Sequence, residues 1–168
     1  MNERRLFPLV VVAAGLLAYQ NSFTGSFFHD DFGAIIENPT IRHLWPIWRP
    51  LLPLHGSGWT VAGRPLINLS LAINYALGGY HVWGYHAFNL TVHILAGLTV
   101  LGIARQTLFQ PRLRARFGPV ADELALATAL LWTVHPLQTE SVTYIVQRAE
   151  SIMGLFYFLT LYCFIRGA

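Results

Sequence analysis

Apolar residues gather in four long runs separated by polar or charged stretches, and that rhythm predicts helices rather than strands. The first run, Leu6 to Tyr19, follows Arg4 and Arg5, and the mild stretch Asn21 to Phe28 extends it to a helix over about 6–23. A bilayer crossing needs about 20 residues. A basic start before a short apolar core also fits a cleaved signal peptide, but no Ala-x-Ala site follows, so the segment reads as an uncleaved anchor. The strongest run, Trp83 to Ala104, stops at Arg105. A third, about 120–135, starts weakly because of Asp122 and Glu123, and a fourth, about 139–166, begins near Thr139 and ends at Arg166. The fold expected is all-α: a multi-pass membrane bundle of four crossings forming one partial membrane domain, residues 1–168.

Between the first two crossings lies a long loop, about 20–82. Within it Leu66, Leu69, Ile73 and Leu77 recur at helical spacing from Pro65 to Leu77, too short to span, so a helix on the membrane surface or against the bundle is expected. Gly78-Gly79 ends it. Trp45, Trp48 and Trp59 suit the membrane interface.

Composition supports lipid as the solvent. Hydrophobic residues make up 54% and charged residues 11%, against about 25% charged in soluble domains. The eleven basic residues are all Arg, which excludes a lysine-dependent phosphate loop or Schiff base. They sit in short clusters beside apolar runs, so nucleic acid is not an expected partner, whereas membrane lipid is. The lone Cys163 allows no internal disulfide. If the four segments alternate, Arg4, Arg5, Arg105, Arg112, Arg114, Arg116 and Arg166 share one side, cytoplasmic by the positive-inside tendency. The amino terminus and the 105–119 loop are then inside, while the 20–82 loop and His135 to Glu150 face outward together.

That outer face carries the candidate chemistry. Asp30 and Asp31 lie in Phe27-Phe28-His29-Asp30-Asp31-Phe32, among apolar neighbours. Read as structure, Asp31 caps a short helix; read as chemistry, burial and a like-charged neighbour raise one carboxylate until it serves as a base, with His29 tuning it. Carboxylates adjacent in sequence often point apart, so both need not meet one substrate. On the second crossing His86, Asn89, His93 and Gly97 fall within about 80° of one another, a stripe better suited to interhelical hydrogen bonds than to lipid. His86 and His93, about 10 Å apart in rise, make a poor metal pair. After the break at Pro136, Glu140, Thr143, Tyr144, Gln147 and Ser151 share one face of the expected fourth helix, with Arg148 and Glu150 flanking. Arg148 is a phosphate ligand, a partner for Glu140 or a lipid-headgroup contact. The acceptor patterns Asn68-Leu69-Ser70 and Asn89-Leu90-Thr91 lie in helices and read as chance matches to glycosylation sites.

The order of several motifs resembles the transmembrane and tetratricopeptide-repeat O-mannosyltransferases and their bacterial relatives. They are Phe28-His29-Asp30-Asp31 with Ile36-Glu37-Asn38-Pro39, Gly63-Arg64-Pro65-Leu66, Tyr85-His86-Ala87-Phe88-Asn89 to His93, and His135-Pro136 to Glu140-Ser141-Val142 with Arg148-Ala149-Glu150. The likeness implies a GT-C glycosyltransferase that moves a sugar, mannose or another hexose, from a polyprenyl-phosphate donor to a protein or other hydroxyl acceptor. It implies Asp30 and Asp31 as the catalytic acidic motif, and Arg64, His135, Glu140 and Arg148 as substrate-binding positions. No metal ligand is assigned, and a divalent metal stays open. Such enzymes have more crossings and trailing repeats, so the chain is expected to be an amino-terminal fragment, of bacterial inner-membrane type. The competing readings are a non-catalytic scaffold subunit that retains the fold, and a transporter; acidic groups confined to one face weigh against the latter.

Overall fold

The computed structural model describes residues 3–52 and 60–167; Trp59 lies outside them, and of Arg4 only the backbone is described. Among the described residues eight α-helices follow one another: α1 Phe7–Tyr19, α2 Trp48–Leu51, α3 Pro65–Gly78, α4 Val82–Leu108, α5 Pro111–Phe117, α6 Ala121–Thr133, α7 Thr139–Thr143 and α8 Arg148–Gly167. No strand occurs among the described residues. Among the described residues three segments are long and apolar enough to cross a membrane: 7–24, 82–108 and 145–167. A fourth crossing exists if Pro111–Thr133 and Pro136–Thr143, bent by 50° at their junction, count as one span. Alone, the 13 residues of α6 rise only about 20 Å, short of a bilayer core.

The central helix is α4, packed against α1, α6 and α8. Its polar stripe explains how the others end. His86 Nε2 lies 3.1 Å from the carbonyl of Gly25, at the end of the first crossing. His93 Nε2 lies 2.8 Å from the carbonyl of Thr133, at the end of α6. Asn89 Nδ2 reaches the carbonyls of Ile145 (3.1 Å), Tyr144 (3.3 Å) and Val142 (3.4 Å), where the chain breaks between α7 and α8. Carbonyls freed at helix ends need donors inside a membrane, and three side chains of one stripe supply them. Gly97, next on the stripe, lets α6 come close: a Cβ there would overlap Thr133 Oγ1.

Two cores result. Val11, Leu101, Ala125 and Ala129 pack within the membrane segments. Ala34, Ile35, Ile41, Ile67, Leu71, Tyr85, Ile145 and Val146 form a second core joining the long loop to the starts of α4 and α8. Arg105 Nε donates to Asp122 Oδ1 at 2.6 Å, so an acidic residue that weakened the third apolar run is neutralised from α4.

Helix α3 packs its polar face against the rest of the chain and turns its apolar repeat outward. Leu66, Ile73 and Leu77 are exposed, while Asn68, Ser70, Leu71 and Asn74 are buried. Polar groups turn inward because partners exist there: Asn68 Nδ2 donates to Thr40 Oγ1 and the Pro50 carbonyl, both 2.8 Å, and its Oδ1 accepts from Asn38. The burial of Asn68 and Asn89 removes both glycosylation patterns from reach. Gly79 closes the helix with φ +58°, a conformation that favours glycine.

The continuous helix expected from Thr139 is broken. Tyr144 takes an extended conformation (ψ 116°) between α7 and a 3-10 turn, Ile145–Gln147, that leads into α8. The stripe from Glu140 to Ser151 therefore does not share one helical face.

Candidate functional site

The break before α8 is where the long loop meets the bundle. Asp31 is 1% exposed. Its Oδ2 accepts the amide of Phe28 at 3.0 Å and its Oδ1 accepts the amide of Val146 at 2.8 Å, across 115 residues of chain. One carboxylate thus ties the loop turn to the interrupted backbone ahead of α8. Burial pushes the Asp31 carboxyl above the ordinary carboxylate value; the two amides and the charge of Arg148 oppose that shift, and Asp30 adds to it.

Asp30 points the other way. Its side chain is 52% exposed, and its backbone amide donates to Tyr144 Oη at 2.9 Å. His29 Nε2 stands 3.6 Å from Asp30 Oδ1, and His29 has φ +44°, uncommon for a residue with a Cβ. Such strain persists where surrounding bonds over-determine the backbone, as at many functional sites. Here the Asp31 bonds to Phe28 and Val146 and the Asp30 bond to Tyr144 bracket it. The acidic pair is therefore split into an anchored carboxylate and an open one.

Arg148 is fully buried, a correction to its reading as a headgroup contact or a partner of Glu140. Its Nη1 donates to Asn74 Oδ1 at 2.7 Å and Ser70 Oγ at 3.3 Å, and its Nη2 to the Tyr85 carbonyl at 3.3 Å. Its guanidinium lies 4.6 Å from the Phe88 ring centre. Neutral oxygens and an aromatic face disperse the charge without a carboxylate bond, and α3, α4 and α8 are joined through one side chain. Local sequence marks only a charged residue near a membrane end; the burial arises because Asn74 and Ser70 turn inward on α3.

Of the remaining residues, Arg64 and Glu140 border spaces beside the start of α8 and His135 does not. Arg64, exposed, sits at the rim of a groove of about 340 Å³ whose walls include Leu66, Ile67, Ile152, Met153 and Phe156. Glu140 faces a polar cavity of about 290 Å³ with Gln138, Ser141 and Gln147. Glu150 lines both. His135 is exposed and lines neither; its Nδ1 accepts the Leu137 amide at 3.2 Å, which starts the 3-10 turn Pro136–Gln138. Among the described residues no three His, Cys, Asp or Glu side chains gather closely enough to hold a metal ion.

Three residues escaped the sequence reading. Tyr144 was read only as part of a helical stripe; its role depends on the break. Glu150 was read only as flanking that stripe. Arg42 went unnoticed: its Nη2 donates to the carbonyls of Ile35 (2.8 Å) and Ile36 (2.6 Å), and it lies against the rings of Tyr75 and Tyr80. Arg42 lies between Ile41 and His43 in a mixed segment whose local pattern does not mark it.

Known proteins are similar to this chain over most of its length. The chain is 35% identical to the protein O-mannosyl-transferase tmtc2 of Xenopus laevis over 94% of its own length and 18% of that protein. It is 33% identical to TMTC1 of Mus musculus over 89% of the chain and 16% of the relative. It is 33% identical to TMTC4 of Homo sapiens over 92% and 22%. The chain is thus a TMTC-like relative that spans about a fifth of the length of the curated proteins it matches. No family model matches it, and neither does any solved structure.

Proposed function

We propose that this relative of the TMTC protein O-mannosyl-transferases is the membrane part of a glycosyltransferase that moves a hexose from a polyprenyl-phosphate donor to a protein hydroxyl on the outer face. The amino terminus is cytoplasmic in this reading, as the arginine clusters favour. The observation that carries it is the division of the acidic pair, with Asp30 open and Asp31 buried and hydrogen-bonded. In this reading Asp30 is the base. As the acceptor oxygen attacks the anomeric carbon, Asp30 takes the hydroxyl proton. The bond from that carbon to the phosphate oxygen breaks, and the electron pair leaves with the polyprenyl phosphate. Asp31 is a positioning residue: it holds the Phe28–Asp31 turn against Val146, and so keeps Asp30 in place.

The groove at Arg64 supports a lipid-linked donor. Its walls are largely apolar, and Arg64 supplies a planar, permanently charged fork at the rim. The polyprenyl chain lies along Leu66, Met153 and Phe156 with its phosphate toward Arg64. Glu140 faces the neighbouring polar cavity, where an acceptor hydroxyl is accommodated. His135 fixes the turn that positions that cavity.

The test is binding of a polyprenyl-phosphate hexose to the chain in nanodiscs, together with transfer to a serine/threonine peptide. Donor binding should weaken about tenfold in Arg64→Ala, as loss of one charged hydrogen-bonded contact implies, and should persist in Asp30→Asn, which should lose transfer. A wild-type chain that binds no polyprenyl phosphate, or an Asp30→Asn variant with full transfer, would sink the reading.

A further inference from the structure

A cavity of about 190 Å³ lies between α4, α6 and α8, on the flank of α8 away from the Arg64 groove. At 100° per residue, Ser151, Gly154 and Phe158 share one face of α8, Met153 and Phe156 lie on another, and Glu150 falls between them. Glu150 accordingly lines both spaces.

The lining is of two kinds. One wall is aromatic: Trp132 stacks on His93 with centroids 4.9 Å apart, and Phe158 meets Trp132 edge-on at 5.4 Å. His93 is itself fixed by its bond to the Thr133 carbonyl, so this wall is pre-set. The other wall is polar. Ser141 Oγ donates to the Gln138 carbonyl at 3.0 Å and Ser151 Oγ to the Ser141 carbonyl at 2.6 Å. Both hydroxyl protons are therefore committed, and the hydroxyl oxygens remain acceptors. The amide of Gln138 and the carboxylate of Glu150 make no side-chain hydrogen bond within the chain among the described residues. The space is smaller than the roughly 300 Å³ at which pockets for drug-sized ligands begin, and holds about six waters by volume.

An aromatic wall facing a carboxylate, an amide and hydroxyl oxygens matches a pyranose: its C–H face packs on the rings, and its hydroxyls donate to Glu150 and the serines and accept from Gln138. We infer that this cavity is a hexose subsite, formed by Trp132 and Phe158 on one side and Gln138, Ser141 and Glu150 on the other. It rests on the proposed function for the identity of its ligand and deepens it: the sugar has its own pocket, one helix ridge from the phosphate groove.

Gly154 makes the test clean. It lines the cavity, and a Cβ built there meets nothing within 4 Å. Leucine at this position fills the space without an initial clash, and replacing a helical glycine favours the helix. The probes are methyl hexosides, followed by saturation-transfer NMR with the chain in nanodiscs free of glycoside detergent. The wild-type chain and Gly154→Ala should bind a methyl hexoside saturably. Gly154→Leu and Gln138→Leu should lose at least tenfold in affinity while keeping the wild-type circular dichroism spectrum. Hexoside binding unchanged in Gly154→Leu, or no binding to the wild type at saturating hexoside, would overturn the inference. Bare polyprenyl phosphate separates the two readings. If it binds wild type and Gly154→Leu alike while hexosides bind neither, the donor groove stands and the sugar pocket falls. If hexosides bind as expected but polyprenyl phosphate does not, the sugar pocket stands and the lipid donor falls.

Discussion

Asp31 Oδ1 receives the backbone N–H of Val146 at 2.8 Å, and this bond joins the long loop to the broken chain ahead of α8. The same break is held from the other side by Asn89, which donates to carbonyls where Asp31 accepts an amide. Between them they satisfy backbone groups that an unbroken helix would have paired internally, so the break is a supported feature rather than fraying.

Removing the carboxylate leaves two amides without acceptors in a buried site. Asp31→Ala should cost about 3 kcal/mol, the scale of hydrogen bonds to a charged group left unmade. Asp30→Ala, which removes an exposed side chain, should stay within about 0.5 kcal/mol. Thermal unfolding in detergent compares them; equal losses would mean that the pair acts as a unit rather than as anchor and open group.

The pH dependence of stability follows from the same carboxyl. Burial raises its folded value above 3.8, so the folded state holds the proton to higher pH than the unfolded chain does. Its stabilising contribution is full below 3.8 and falls as pH rises through the raised value. Asp31→Asn does not titrate there. The melting temperature of wild type minus that of Asp31→Asn should therefore decline from about pH 4 toward neutrality. A constant difference over that range would mean that the two amides and Arg148 fully offset the burial.

Two arginines near α8 should behave oppositely. Arg148→Ala strands Asn74 Oδ1 and opens a void among α3, α4 and α8, with an expected loss of about 3–5 kcal/mol; Arg148→Lys should rescue little, because an ammonium lacks the fork that reaches both Asn74 and the Tyr85 carbonyl. Arg64→Ala should leave the melting temperature nearly unchanged and lower donor affinity. Paired melting and binding curves decide it, and a stable Arg148→Ala with selectively lost donor binding would return Arg148 to the substrate.

Much of this molecule was legible in the order of its residues. Apolar run length is set by bilayer thickness, so the membrane character and all-helical class follow from local composition. The polar stripe of His86, Asn89 and His93 was readable as interhelical bonding because unpaired polar groups are costly in lipid. Which carbonyls they meet was not readable, since those lie 40 to 61 residues away in sequence. The fate of the charged residues was decided by tertiary structure alone. Asp30 and Asp31 are chemically identical neighbours, and only the position of Val146 makes one an anchor and leaves the other open. The fourth apolar pattern continues through Tyr144 as helix, because local periodicity does not register a carboxylate and an amide arriving from elsewhere to satisfy a break. Arg148 and the polar face of α3 make the same point: long-range partners, not local pattern, determined which polar groups went inside.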